Sequence, residues 1–426
     1  MSAFQSKPKA CSFCSLLCEL DSPQQDSFER ELSCSKRKRI LQALESQGYI
    51  GKSTSGEAAA QAIADSAMLD RANEGISRAA SILVTGRIHT VESARIAVDL
   101  ARRLDAIVDP WESDVAFAGI RSLQRNGGFR TSLAECRELA DLFLVFGDDS
   151  LLDEYPRLPV SLSGKSSLNK SDTPLLLIGN WSEEAADRWR EAGFEVIAIS
   201  ADLDQFPRWL SLATRLSDTD TSTSQVSRWL LESQYTTLVW APGNIPVEQI
   251  DLWMDSMMDW VMRQNETRRT TALVWSDPQA TFHQVCTWLT GFPGRIVFRG
   301  GVASYDPDLF RAQSWFENQR ACRETQDRSL ILWIDDSWEA LPTDITQTKV
   351  PTWVLGGKAL DTPSVVLNQL ASGIAGVTHP GSFFRGDQVV LARVQQLVSF
   401  REGNPQGIVR SGMAELARRQ IGRAHV

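Results

Sequence analysis

Histidine is scarce in this chain, with four in 426 residues, at His89, His283, His379 and His425. No HExxH or HxxxH pair occurs, so a zinc hydrolase site carried on one helix face is not expected. A Walker A segment and a G-x-G-x-x-G turn are also missing, which leaves nucleotide phosphates without a backbone cradle. No stretch of 18 apolar residues is present, and the first eleven residues hold no apolar signal core. The expectation is a cytoplasmic protein with no membrane partner. Positive charge is in deficit: 44 Lys and Arg against 53 Asp and Glu give a net charge of -9. An acidic surface argues against nucleic acid as a partner, because phosphate backbones need basic patches. One basic run, Lys36–Arg39, reads as the solvated start of a helix.

Hydrophobic residues make up 42% of the chain and charged residues 23%. This composition excludes wholesale disorder and supplies more apolar surface than one core holds, so two or three domains are expected. Short apolar runs alternate with amphipathic segments from residue 81 onward. The runs are Ser81–Thr85, Leu142–Phe146, Leu175–Ile178, Glu195–Ile199, Thr237–Trp240, Ala272–Trp275, Arg295–Phe298, Leu330–Ile334 and Thr352–Leu355. Between them, segments such as 90–104 place Val91, Ala94, Val98 and Ala101 on one helical face; a further helix is expected near 55–72. Continuous apolar strands alternating with helices indicate βαβ units, hence an α/β fold with mainly parallel sheets.

Nine strands exceed one small domain. The expected division is a four-cysteine unit over 1–50, a discontinuous α/β domain over 51–140 plus 328–410, and a second doubly wound domain over 141–327. Ligands would sit outside the carboxyl ends of the strands. Ser161–Asp172 and Leu216–Gln225 are polar and read as surface loops. Trp240, Trp275, Trp333 and Trp353 fall inside apolar runs and read as core. Gly300-Gly301 and Gly356-Gly357 read as turns at the top of a sheet.

Four of the seven cysteines fall in the first 34 residues, at Cys11, Cys14, Cys18 and Cys34. The C-x2-C-x3-C spacing suits a tight loop around one face of a [4Fe–4S] cluster, with Cys34 completing the ligand set. Lys36 and Arg37 lie close enough in sequence to favour the thiolate form. A tetrahedral zinc ion is an alternative, although zinc sites commonly use paired CxxC units. Thiols that hold nothing are a third reading. Cys136, Cys286 and Cys322 read as buried small hydrophobes. His89, after the first main strand, reads as a loop histidine facing solvent, the alternative being a ligand contact at a helix N-terminus.

The segment Cys11-Ser12-Phe13-Cys14-Ser15-Leu16-Leu17-Cys18 resembles the start of molybdopterin oxidoreductases. Three further segments resemble the B-type subunit of formylmethanofuran dehydrogenase, and its bacterial counterpart in the formyltransferase/hydrolase complex. They are Ala140–Gly147 with Tyr155-Pro156-Arg157, Gln284–Pro293 leading to Gly301 and Tyr305-Asp306-Pro307, and Gly381–Asp387. The resemblance covers nearly the whole chain. It implies a [4Fe–4S] cluster on the four cysteines, a molybdenum or tungsten pterin, and one-carbon chemistry linked to tetrahydromethanopterin. It also implies a cysteine or selenocysteine metal ligand near residue 110. This chain has Asp109-Pro110-Trp111-Glu112-Ser113-Asp114 there.

A degenerate pterin site is therefore expected, with no catalytic residue in this chain. The expected role is structural or electron-handling, within an assembly that carries formaldehyde to formate and whose other subunits are its partners. The alternatives are a catalytic molybdenum- or tungsten-pterin subunit and a zinc-binding scaffold. Arg385 and Asp387 read either as former pterin or subunit contacts or as a surface salt bridge. Finally, Gln420–Val426 back-translates to a common sequencing-adapter sequence, so residues 420–426 are expected to be non-native.

Overall fold

The computed structural model describes residues 9–20, 34–46, 71–163, 173–204, 221–245, 248–321, 328–337, 339–356, 367–370, 375–377 and 379–395. Cys322, the tail at 420–426, residues 164–172 and all but the end of the helix expected near 55–72 lie outside them.

The nine apolar runs all became strands. They lie within Ser81–Arg87 (β3), Leu142–Asp148 (β5), Thr173–Asn180 (β6), Phe194–Ile199 (β7), Tyr235–Trp240 (β8), Arg269–Val274 (β9), Ile296–Arg299 (β10), Ser329–Asp335 (β12) and Thr352–Gly356 (β13), except that Trp275 and Arg295 lie just outside β9 and β10. Shorter strands complete the set: Lys9–Ala10 (β1), Glu19–Leu20 (β2), Ile107–Val108 (β4), Val302–Tyr305 (β11), Leu367–Leu370 (β14), Gly381–Phe384 (β15) and Leu391–Val394 (β16).

Two sheets carry the fold. One runs β11-β10-β4-β3-β12-β13-β14 and the other β7-β6-β5-β8-β9. Every pairing in the second is parallel. In the first, only β10 is antiparallel to its neighbours. The architecture is a mixed α/β fold with mainly parallel sheets. The hairpin of β10 and β11 falls within residues 141–327, yet it hydrogen-bonds to β4 of the first sheet.

Helices cover the sheets because their apolar faces repeat at helical spacing. Seven matter for the site: Ser35–Ser46 (α1), Val91–Arg103 (α2), Asp114–Asn126 (α3), Leu133–Leu139 (α4), Thr221–Glu232 (α5), Ile250–Gln264 (α6) and Ala280–Thr290 (α7). In α2, Thr90 caps the first turn by accepting from the Ser93 N–H, Glu92 lies in the first turn, and Arg102 and Arg103 lie in the last. Each suits the helix dipole. The face of Ala94, Ala97, Val98 and Ala101 packs with Phe282 and Val285 of α7 onto Ile82, Val84 and Leu332 of the first sheet.

The expected loop at Leu216–Gln225 is corrected from residue 221 onward, which is helical. Val226, Trp229 and Leu230 bury one face of α5 against the second sheet. That burial outweighs the polar Ser/Thr composition at its start. Gly300 and Gly301 also differ from expectation. They form the two-residue loop of the β10–β11 hairpin, since Arg299 faces Val302, and both have positive φ, 54° and 77°. A tight hairpin needs that left-handed pair, and glycine adopts it without strain.

The four tryptophans expected in the core are there, with Trp240, Trp275 and Trp333 fully buried and Trp353 5% exposed. Cys136 and Cys286 are fully buried as expected. Among the described residues no helix is long and apolar enough to cross a membrane.

Candidate functional site

β1 and β2 pair as a short hairpin, with Lys9 facing Leu20, and the Cys11 N–H donates to the Cys18 carbonyl at 2.8 Å. This closes the loop that carries three of the cysteines. Cys34 lies just before α1, where the Lys38 N–H donates to its carbonyl. Cys11 and Cys14 are buried, Cys18 and Cys34 half-buried.

Cys34 lies near enough to Cys11 and Cys18 to oppose their ionisation, and Cys14 feels Cys11 and Cys18. Burial pushes the Cys11 thiol up to about 11, and Cys18 and Cys34 raise it further while Arg37 opposes. Cys14 is pushed well up by burial and then by Cys18 and Cys11, with Lys36 opposing. Cys18 is raised by burial, with Arg157 the strongest opposing charge. Among the described residues no three Cys, His, Asp or Glu side chains converge as ligands of one ion. The basic run is corrected in part: it does start α1, but Arg37 is buried and the Lys36 side chain is only 11% exposed. Lys36 donates to the Glu154 carbonyl at 3.3 Å instead of facing water.

The loop is wedged in place. Cys14 and Leu16 pack into the core of the second sheet beside Tyr155 and Trp275, and Ala10 and Leu17 pack against Phe383 and Val394 of the β15–β16 hairpin. Ser15 is the hub. Its hydroxyl donates to the Ser276 carbonyl at 2.8 Å and accepts from the Trp275 indole N–H at 3.0 Å, while its carbonyl accepts from the Gly386 N–H at 2.8 Å. Replacing Ser15 with alanine leaves a buried indole N–H without its acceptor. That change should cost about 1–3 kcal/mol. Hydrogen exchange should speed up in residues 9–20 while β5 and β6 stay protected; unchanged exchange in the loop would contradict the hub role.

A cleft of about 580 Å³ lies against this loop. That size suits a small-molecule ligand. Its walls come from the carboxyl ends of strands in both sheets: His89 beyond β3, Trp111 beyond β4, Trp275 and Asp277 beyond β9, and Asp336 beyond β12. Phe13 and Ser12 of the cysteine loop complete it. His89 does not face solvent: it is half-buried on the wall, and burial, then Arg87 and Lys36, push it down to about 3, so its imidazole is neutral. Burial pushes Asp277 up to about 6 against the Gln279 and Ala280 N–H groups, and Glu154 and Glu112 add to the rise.

The turn after β4 holds no soft ligand. Trp111 is 4% exposed and its ring sits 5.7 Å from both Phe316 and Trp333, so it belongs to the core of the first sheet. Glu112 is exposed, with φ of 57°, on the cleft wall. The nearest thiol in sequence, Cys136, is committed to the second sheet's core and donates to the Leu133 carbonyl. These residues do not fit the thiolate-held pterin metal that the sequence resemblance implies, because the turn holds no cysteine and Asp109 is committed to Ser113 and the Ala312 N–H.

No family model matches the chain, and no curated protein matches it. Among solved structures, a chain of the formyltransferase/hydrolase complex (FhcABCD) from Methylorubrum extorquens, determined with methylofuran, matches with a TM-score of 0.68. Identity is 19%, over 85% of this chain and 97% of that one. The two share a fold.

Sequence reading missed Asp277 and Asp336, and reached Ser15 and Tyr155 only as members of motifs, without a role. Asp336 follows β12 directly and Asp277 lies three residues beyond β9, and a carboxylate near the carboxyl end of a parallel strand is a signal open to sequence inspection. The Arg385–Asp387 pair is corrected: Arg385 does bridge Asp387, but the Asp387 side chain is fully buried and accepts from the Leu133 N–H at the start of α4.

Beneath the cleft lies an ionic network that the sequence did not reveal. Asp109, fully buried, accepts from the Ser113 hydroxyl at 2.9 Å and the Ala312 N–H at 3.0 Å, and Arg295 stands 3.8 Å away over the Phe117 ring. Burial pushes Asp109 up to about 7 from 3.8, against the pull of Arg295 and the two hydrogen bonds. The folded chain then holds a proton that the unfolded chain releases, so stability falls as pH rises from about 4 to about 7. The loss is on the order of 4 kcal/mol. Asp109→Asn should flatten this slope in urea unfolding across that range; an unchanged slope would contradict the assignment.

Proposed function

We propose that this chain is a B-type subunit of a formyltransferase/hydrolase complex in tetrahydromethanopterin-linked one-carbon metabolism. In this reading Cys11, Cys14, Cys18 and Cys34 hold a [4Fe–4S] cluster, and the chain itself performs no pterin-metal chemistry. Its role is structural or electron-handling, in a cytoplasmic assembly whose other subunits release formate. The observation that carries the reading is the fold shared with a chain of such a complex, over 97% of that chain.

The cysteine loop supports the cluster. Cys11 and Cys18 each feel Cys34, and the C-x2-C-x3-C spacing with a distant fourth cysteine, unlike the paired CxxC units common at zinc, suits a cube. An iron–sulfur cube supplies one-electron transfer when bound. Lys36, Arg37 and Arg157 favour the thiolates it needs. The tryptophan at position 111, where a soft donor belongs, supports a chain without pterin chemistry.

Gentle affinity purification from the native host tests the reading. The chain should elute with formyltransferase and amidohydrolase-like subunits in fixed ratio. Elution as a lone protein, or with molybdenum or tungsten at one atom per chain, would sink it.

A further inference from the structure

In a doubly wound sheet, ligands collect where the strand order turns back on itself. In the first sheet that point lies between β3, whose chain leads to β4 on one side, and β12, which leads to β13 and β14 on the other. The N-terminus of α2 opens there. Such a terminus, with its free N–H groups and positive dipole end, is the ordinary seat of a ligand phosphate.

Here the seat is taken by the protein. From the end of β12, one Asp336 carboxylate oxygen accepts from the His89 N–H at 2.9 Å, the Thr90 N–H at 3.0 Å and the Thr90 hydroxyl at 3.1 Å. The other accepts from the Ser93 hydroxyl at 2.7 Å.

An independent observation points the same way. Among the described residues, five carboxylates line the cleft against three cations. Two of those cations are already engaged, Arg87 with Glu339 and Ser337, and Lys36 with Glu154. His89, neutral, adds no positive charge. Four aromatic side chains, Phe13, Trp111, Tyr155 and Trp275, all nearly buried, back the cleft as apolar wall instead.

We propose that Asp336 is a specificity-determining residue of the cleft: an internal carboxylate that takes the anion position, so that the cleft admits uncharged or cationic flat ligands and turns away phosphorylated ones. The inference deepens the reading of the cleft as a site without pterin chemistry, and it does not depend on the cysteine cluster. Removing the carboxylate exposes two backbone N–H groups, two hydroxyls and a helix dipole to any anion of suitable size.

The test uses inorganic pyrophosphate and phosphate as probes, against chloride at equal ionic strength. The wild-type chain should show no saturable binding by equilibrium dialysis. Asp336→Ala and Asp336→Ser should bind pyrophosphate at least about tenfold more tightly than wild type, because the vacated donors then face the ligand. Their melting temperatures should rise with phosphate, while the wild type's should not. If the variants fail to fold in chloride, refolding in phosphate becomes the readout and recovery is expected.

Saturable pyrophosphate binding by wild type that Ser93→Ala weakens would overturn the proposal. So would a folded variant with no gain, or no recovery in phosphate. Failure of the wider functional reading looks different: it appears as missing subunits or as bound molybdenum, with these anion results unchanged.

Discussion

Cys14→Ser is expected to lower bound iron and sulfide by roughly tenfold or more, because under the proposed function it removes a direct ligand of the cluster. Cys14 is buried in the second sheet's core, and both burial and its neighbours Cys11 and Cys18 hold it protonated in the absence of positive charge. Bound iron would reverse that balance, because a neighbouring metal ion lowers a thiol pKa and favours the thiolate. Serine offers a harder donor of higher pKa at the same place.

Cys136→Ser and Cys286→Ser are the matched controls. Both thiols are fully buried, Cys286 in the first sheet's core and Cys136 in the core that also holds Cys14 and Leu16, so these changes should cost stability and leave iron per folded chain unchanged. Equal iron loss in all three variants would show that the effect is unfolding, not ligand loss.

Gly86→Ala should have the largest effect on folding. Gly86 lies on β3 just before the residues that enter the cleft, with φ of 136°, and an added Cβ would stand 2.0 Å from the Ile334 carbonyl oxygen and 2.7 Å from its nitrogen. Backbone atoms of a central strand cannot step aside, so the register of β3 and β12 would break there. A cost of about 4 kcal/mol or more is expected, read as insoluble protein or a collapsed urea midpoint. Gly243, also on the cleft wall, has open space where a Cβ would go and no positive φ. Gly243→Ala should stay within about 0.5 kcal/mol of wild type. Equal stability of the two variants would show that β3 and β12 do not approach as closely as the structure has them.

The strands were legible because strands buried on both faces need continuous apolar sequence, as in Leu142–Phe146 and Leu330–Ile334, whose residues are all almost fully buried. The missed strands are short or alternate. β4 has two residues, and β11 and β16 expose every second side chain, so Val-Ala-Ser-Tyr and Leu-Ala-Arg-Val carry no distinct signal. The start of α5 was hidden by its threonines and serines, whose polarity says loop although Val226 and Trp229 decide for helix.

The site divides in the same way. The cysteine motif was visible because three of its members lie within eight residues. The cleft was not visible, because topology assembles it: Ser15 meets Trp275 and Ser276, and Asp336 meets Ser93, across 243 residues or more. His89 was misread for the same reason. Its burial comes from cleft walls distant in sequence, which no local pattern announces.

On this account a cluster site persists where a pterin-metal site does not. Anaerobic purification of the native chain, followed by iron, acid-labile sulfide, molybdenum, tungsten and zinc analysis, tests it most directly. About four iron and four sulfide per chain, with molybdenum and tungsten at background, is the result expected. Stoichiometric molybdenum or tungsten would contradict the account at the Trp111 turn, and zinc without iron would contradict it at the cysteines.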